Sequence, residues 1–282
     1  MCTRREGNHY KMVKGKIIYP KLYNFRTYSL NKRTPKTIRS LIRESRNKEE
    51  FKSLVKNFSK RDRQKVRERT KNQSQSNVWF MYRQAIITGT IIRRVIKAVE
   101  KGKSDENLNK AISKFGDGFT CEAIEYGLAN EKNALRILWK EFCKDHYLPL
   151  SHKVGLCLDP ELPILGGSPD LIFSCMCCSN EENKRHFFIC EAKCPFKLKD
   201  SGITEWRKLP YLTENCELDK NHSYYHQLML YCGVMGYTQS LFIIWTPEGH
   251  LTLKLDFDED LFDLMRRCAK EYYFKFYLEE FF

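Results

Sequence analysis

The 282-residue sequence predicts a mixed α/β (α+β) domain with a central sheet flanked by helices, preceded by a basic helical N-terminal extension. Three observations lead there. Residues 1–75 hold 23 Lys and Arg against 6 Asp and Glu, although the whole chain carries a formal net charge of only +14, so the rest is slightly acidic. Between about residues 78 and 146, apolar side chains recur at helical spacing. Beyond about residue 150 the period changes to short runs of Val, Ile, Leu and Phe, with one further helical segment set among them. With 42% hydrophobic and 13% aromatic content the chain can bury a sizeable core.

Taken in order, residues 1–35 mix Tyr, Lys and Pro without period and are expected to form an extended arm. From Pro35 to Lys71, Ile38, Leu41, Ile42, Phe51, Leu54, Val55 and Phe58 fall at helical spacings with charges between, which predicts one or two basic amphipathic helices. The polar "NQSQSN" at 72–77 reads as a linker, which divides the chain into an extension, 1–75, and a main domain, 76–282. "VWFMYRQAIITGTIIRRVIKAV" is apolar enough to be core, with "TGT" placed to open a helix to about Lys101. After the loop "GKSDEN" come helical segments from about 107 to 126. Gly127 is expected to break them and Asn130 to cap a following helix, with Glu131 in its first turn and Ala134, Leu135, Leu138, Trp139 and Phe142 on one face. "KVGLCLD", "SPDLIFSC", "RHFFICEAK", "SLFIIWTP" and "HLTLKLDF" read as strands, with the helix "SYYHQLMLYCGVMG" crossing between the third and fourth.

The charge distribution narrows the partners. A basic segment beside a near-neutral body suits a polyanion, nucleic acid before membrane, because no amphipathic anchor or apolar span of about 18 residues accompanies it. "SKRDRQKVRERTK" at 59–71 also suits a solvated tail or a nuclear import signal. The N-terminal residues lack the apolar core of a signal peptide, so an intracellular location is expected, nuclear in a eukaryotic or virus-associated setting. Twelve cysteines in that context read as reduced thiols. Cys175, Cys177 and Cys178, with Cys190 and Cys194 across a loop, are read as small buried thiols rather than as a structural zinc knuckle.

The chemistry concentrates in two places. In "GGSPDLIF", Asp170 stands between a turn-forming run and the start of an apolar strand, where an unpaired carboxylate is costly. About twenty residues later, Glu191 and Lys193 interrupt the apolar "HFFICEAKCP", and period-2 alternation sends both to one face. If the two strands pair as a hairpin, Asp170 and Glu191 converge. Adjacent carboxylates repel unless a cation lies between them, and hard oxygen donors suit Mg²⁺ or Mn²⁺. A neighbouring lysine can orient water or neutralise charge on a phosphoryl transition state. The plainer alternative is a turn-capping Asp170 and a Glu191–Lys193 pair at a strand end. Two interruptions of apolar strands at hairpin spacing favour a site.

"GGSPD" followed by "ICEAK" resembles the PD-(D/E)xK nuclease superfamily, and more narrowly its YqaJ-like viral recombinase group, which includes bacteriophage lambda exonuclease. "WFMYRQAIITGT" is similar to that group's W-x(3)-R-x(2)-R-I-T-A-S motif, placing Trp79, Arg83 and Thr90 on its tryptophan, first arginine and terminal hydroxyl. "GLANEKNAL" resembles G-x(3)-E-x(2)-A, with Glu131 as the acidic residue. "YYHQLMLYCGVMG" resembles Y-x(2)-Q-x-Q, with Gln227 as its first glutamine, and "FIIWTPEG" the closing strand and turn. The resemblance covers roughly residues 78–256. Ile86, Thr90 and Met229 depart from the pattern, replacing an arginine, a serine and a glutamine.

The resemblance implies a restriction-endonuclease-like core and a catalytic set of Glu131, Asp170, Glu191, Lys193 and Gln227. It implies Mg²⁺, or Mn²⁺, held by Asp170, Glu191, the Ala192 carbonyl and Glu131, and a DNA phosphate at the 5′ end held by Arg83 and Thr90 beside Trp79. A helix-face arginine and a helix-capping threonine are their plainer readings. The implied activity is metal-dependent hydrolysis of DNA, as a lambda-type 5′–3′ exonuclease on double-stranded ends in recombination or processing. An endonuclease and a non-cleaving DNA-binding module are the alternatives. A single-strand annealing or recombination protein and a homo-oligomer are the implied partners. Tyr224, Tyr225, Tyr231 and the tail "EYYFKFYLEEFF" read as core, and His186 and His226 as structural.

Overall fold

The structure is a computed structural model that describes residues 11–13, 16–18, 34–114, 120–179, 181 and 183–282, the first two segments as backbone alone. Most of the expected arm over residues 1–35 lies outside them. Lys11–Val13 (β1) and Lys16–Ile18 (β2) pair antiparallel. Three short helices follow, Ile38–Glu44 (α1), Lys48–Lys56 (α2) and Lys60–Arg69 (α3). Three separate caps explain why there are three. Thr37, Asn47 and Ser59 each accept a backbone N–H of the first turn, and Ser59 with Asp62 completes a capping box.

Asn77–Arg83 (α4), the short strand Ile87–Thr88 (β3), Ile92–Glu100 (α5) and Glu106–Ser113 (α6) come next. The following helix, Glu122–Asp145 (α7), is one continuous element. Gly127 does not break it and Asn130 does not cap it; the Asn130 amide instead donates to the Tyr126 carbonyl one turn back. A glycine inside a helix costs about 1 kcal/mol relative to alanine. Burial of Ala134, Leu135, Leu138 and Phe142 against the sheet outweighs that, and Glu131 therefore lies within the helix rather than in its first turn.

The remaining strands are Leu150–His152 (β4), Cys157–Leu158 (β5), Leu165–Gly167 (β6), Leu171–Cys175 (β7), His186–Lys193 (β8), Gln239–Thr246 (β9) and Gly249–Asp256 (β10). Ser223–Met235 (α8) precedes β9, and Glu259–Tyr272 (α9) follows β10. The main sheet has the order β10-β9-β8-β7-β4, and a small sheet has the order β3-β6-β5. Only β8 and β9 of the main sheet run parallel, and the crossover between them carries α8. The stretch "KVGLCLD" is thus not one strand: β4 ends just before it, and only Cys157–Leu158 (β5), in the other sheet, falls within it.

Alternation along β7 and β8 sorts the two faces. Phe173, Phe188, Cys190 and Ala192 pack under α7, while Ile172 and Ile189 face the larger core that includes α8. Residue 75 marks no break in packing. Ile38, Leu41, Phe51, Val55 and Val66 of α1–α3 belong to that same larger core. Phe51, fully buried, stacks on Tyr273 at 6.0 Å, and the Tyr273 hydroxyl donates to the Ala85 carbonyl at 2.8 Å. The aromatic tail is core, as its spacing suggests, with Tyr272, Tyr273 and Tyr277 fully buried.

Phe51→Ala should therefore destabilise the whole domain by about 3–5 kcal/mol, as one cooperative shift in a urea melt followed by tryptophan fluorescence. An unchanged midpoint would show that the extension folds apart from the rest.

Candidate active site

The register between β7 and β8 sets Leu171 opposite Cys190, so one residue earlier Asp170 comes opposite Glu191 on the α8 side of the sheet. Asp170 Oδ2 accepts the Ala192 N–H at 2.8 Å. Glu191 is 3% exposed, and its two oxygens differ sharply. Oε1 accepts from Lys193 Nζ at 2.6 Å and from Gln227 Nε2 at 2.8 Å. Oε2 is buried with no hydrogen-bond partner. A buried, unpartnered carboxylate oxygen is costly and marks a place where a further group belongs.

The electrostatics agree. Burial, then the nearby Glu191 carboxylate, hold Asp170 well above the usual carboxylate range, and Glu131 adds to this against the opposing pull of Lys193. Burial and Glu191 likewise raise Glu131, which approaches from α7. Burial alone would lower Lys193, but Glu191 and Asp170 outweigh it and keep the ammonium firmly charged. Three carboxylates against one ammonium leave an excess of negative charge around Glu191 Oε2. Hard oxygen donors in that number fit a divalent cation.

Gln227 and Tyr231 stand one turn apart on α8, and Gln227 Nε2 also reaches the Tyr231 hydroxyl at 2.8 Å. Close approach of α8 depends on two glycines. A Cβ at Gly167 would stand 2.2 Å from the Tyr231 ring, and one at Gly89 would stand 2.9 Å from Gln227 Cγ.

Trp79 and Arg83 of α4 join this neighbourhood. The Arg83 guanidinium lies 4.0 Å over the Trp79 ring, and Trp79 Nε1 donates to Ser168 Oγ at 2.9 Å, two residues before Asp170. Thr90 is exposed, 3.0 Å from the Thr88 hydroxyl, and does not cap α5, whose N-terminus has no side-chain cap. Ile86 and Met229, two departures from the motif pattern, are buried core residues.

Several supporting residues were not singled out from sequence. Gln73 is no linker residue: it takes φ 43° and donates from Nε2 to the Val154 and Pro169 carbonyls, each at 2.9 Å, clamping the loop before Asp170. Nothing in a polar run almost a hundred residues upstream signals that. Ser168 lies inside the quoted "GGSPD", and Tyr231 follows Gln227 at the helical period, so both were within reach. Tyr224 and Tyr231 are more than core filling, since Lys193 Nζ lies 4.9 Å over the Tyr224 ring. His226 is structural, its Nδ1 3.0 Å from the His222 carbonyl.

The fold has counterparts among solved structures. The alkaline exonuclease LHK-Exo from Laribacter hongkongensis, solved in complex with dAMP, is 15% identical over 73% of this chain and 93% of its own, with a TM-score of 0.50. The Shutoff and Exonuclease Protein from Kaposi's sarcoma-associated herpesvirus is 11% identical over 84% of this chain and 78% of its own, with a TM-score of 0.51. No curated protein sequence matches the chain. The sequence model of the viral alkaline exonuclease family matches residues 17–203, reaching well upstream of the motifs read from residue 78 onward. With more than half its length under that match and the fold in agreement, the chain belongs to the viral alkaline exonuclease family.

Proposed function

We propose that this protein is a Mg²⁺-dependent deoxyribonuclease that degrades duplex DNA from its ends. The observation that carries this reading is the unpartnered Glu191 Oε2, set among Asp170, Glu131 and a charged lysine. Asp170, Glu191, Glu131 and the Ala192 carbonyl would hold the cation, which supplies Lewis-acid stabilisation of the phosphodiester and of the attacking water. Lys193 orients that water from the Glu191 side and offsets negative charge as the phosphorus becomes five-coordinate. Gln227 fixes Glu191 by taking up Oε1, so that Oε2 would be the oxygen that holds the cation. The leaving 3′ oxygen departs opposite the water, and inversion at phosphorus follows.

Arg83, stacked on Trp79, which is tied through Ser168 to the Asp170 loop, would hold a terminal 5′ phosphate, with the exposed Thr90 hydroxyl as a second donor. The basic surface of α3 adds sequence-independent affinity for the duplex backbone, which falls with salt. A binding-only role is disfavoured by the cost of keeping three carboxylates and a lysine together in a largely buried site.

Linear 5′-phosphorylated duplex should be degraded in Mg²⁺ and spared in chelator, with closed circular duplex and RNA intact. Lys193→Ala should lower the rate by about 10²–10³-fold or more. Cutting of circles would identify an endonuclease, and binding without cutting of any substrate a non-catalytic module. Arg83→Ala should reduce the preference for 5′-phosphate over 5′-hydroxyl ends by about 10–100-fold, corresponding to a lost charge-assisted hydrogen bond of about 1.5–3 kcal/mol, and affect kcat on 5′-hydroxyl ends little.

The raised carboxyls also predict a pH dependence in chelator. A folded Asp170 that keeps its proton above the unfolded value binds more protons than the unfolded chain, so stability falls as pH rises from the ordinary carboxylate range through the folded value. Asp170→Asn removes this contribution. It should raise the unfolding free energy in chelator, read from urea melts, at pH 8 but scarcely at pH 4, by about 1.4 kcal/mol for each pKa unit by which the folded carboxyl exceeds the unfolded one.

A further inference from the structure

We propose that Cys175, Cys178, His146 and His186 form a second metal site, for a thiophilic divalent ion of the Zn²⁺ class, at the opposite end of the elements that carry the carboxylates. The ligand atoms of His146, Cys175 and Cys178 already lie within 4.8 Å of one another. A tetrahedral zinc site with Zn–S near 2.3 Å and Zn–N near 2.0 Å sets its ligands about 3.3–3.8 Å apart, so small side-chain rotations bring these three to ligand spacing, and His186, outside that group, would turn in as the fourth. Cys175 ends β7, and Cys178 follows in the turn at C-x-x-C spacing, which the expectation of mere buried thiols passed over. Burial raises the Cys175 thiol, and hydrogen bonds from the Cys178 N–H and side chain to its sulfur oppose this only in part.

The two histidines present the right atoms. His146 Nδ1 lies 2.9 Å from the Phe142 carbonyl, which can only accept, so Nδ1 carries the proton and Nε2 keeps its lone pair. His186 is the cross-strand partner of Cys175 and shares its face of the sheet. Its Nε2 is buried and has no hydrogen-bond partner. Its other ring nitrogen meets Gln239, whose amide nitrogen is committed to Asp256 and whose oxygen therefore faces the ring.

Two thiolates cancel the charge of a divalent ion, so the closed site is neutral beside the apolar rings of Phe142 and Phe188. A cleft of about 670 Å³ lined by Cys178, Arg185, His186 and Gln239 gives the ion a route from solvent. The position is telling. α7 carries Glu131 and leads to His146, β7 follows Asp170 and ends at Cys175, and β8 begins at His186 and carries Glu191. Five residues of strand separate Asp170 from Cys175 and His186 from Glu191, about 17 Å of rise, so this ion is not the one at the carboxylates. It would fasten the three elements together at their far ends.

The test is titration of the full-length, chelator-stripped protein with Co²⁺ and then Zn²⁺. One equivalent should give thiolate-to-cobalt charge-transfer and tetrahedral d–d absorption that Zn²⁺ abolishes. The signature should persist in the Asp170→Asn/Glu191→Gln and Cys177→Ser variants, vanish in Cys175→Ser/Cys178→Ser, and weaken at least tenfold in affinity in His186→Gln. In unmutated protein, Zn²⁺ should protect Cys178 from alkylation while exposed Cys121 labels as before. Absence of the thiolate signature, its survival without Cys175 and Cys178, or equal labelling of Cys178 with and without Zn²⁺ would overturn the site.

Discussion

The antiparallel pairing of β7 with β8 is the constraint on which everything else rests. It forces Asp170 and Glu191 into the same small volume although the Glu191 carboxylate makes Asp170 harder to ionise. The pairing is held in turn by packing on both faces, with Phe142 against Phe173 and Phe188 on one side and Ile172 and Ile189 within the α8 core on the other. The apolar interior thus supplies the stability that a cluster of like charges removes.

Geometry then divides labour within a single carboxylate. Lysine and glutamine both bind Glu191 Oε1, from the neighbouring position of the same strand and from the helix above it. That leaves the second oxygen oriented but unused, which is how a rigid framework presents a ligand atom without a flexible side chain having to find its place. The Trp79–Ser168 bond and the Gln73 clamp act at one remove, fixing the loop rather than the reacting groups.

What could be read in the sequence follows the range of the forces involved. Asp170, Glu191 and Lys193 were legible because strand alternation and hairpin spacing are local, and the family's motifs located Glu131 and Gln227. The continuity of α7 was not. Gly127 and Asn130 are local stop signals, and what overrides them is burial against strands some forty residues later. Gln73 was invisible for the same reason, its partners being Val154 and Pro169. The C-x-x-C spacing of Cys175 and Cys178 was there to be seen, but the histidines beside it arrive only through the sheet register and the end of a helix.

The stacking of Phe51 on Tyr273 orders events during synthesis. A ribosome makes the chain from its N-terminus, so α1–α3 leave the exit tunnel long before the residues whose rings complete their core. Their apolar face stays wet until Tyr273 has been added, and Ala85 lacks its tyrosine hydroxyl for as long. Contacts of such sequence separation make folding slow and post-translational. The nascent polypeptide therefore does not carry a finished core.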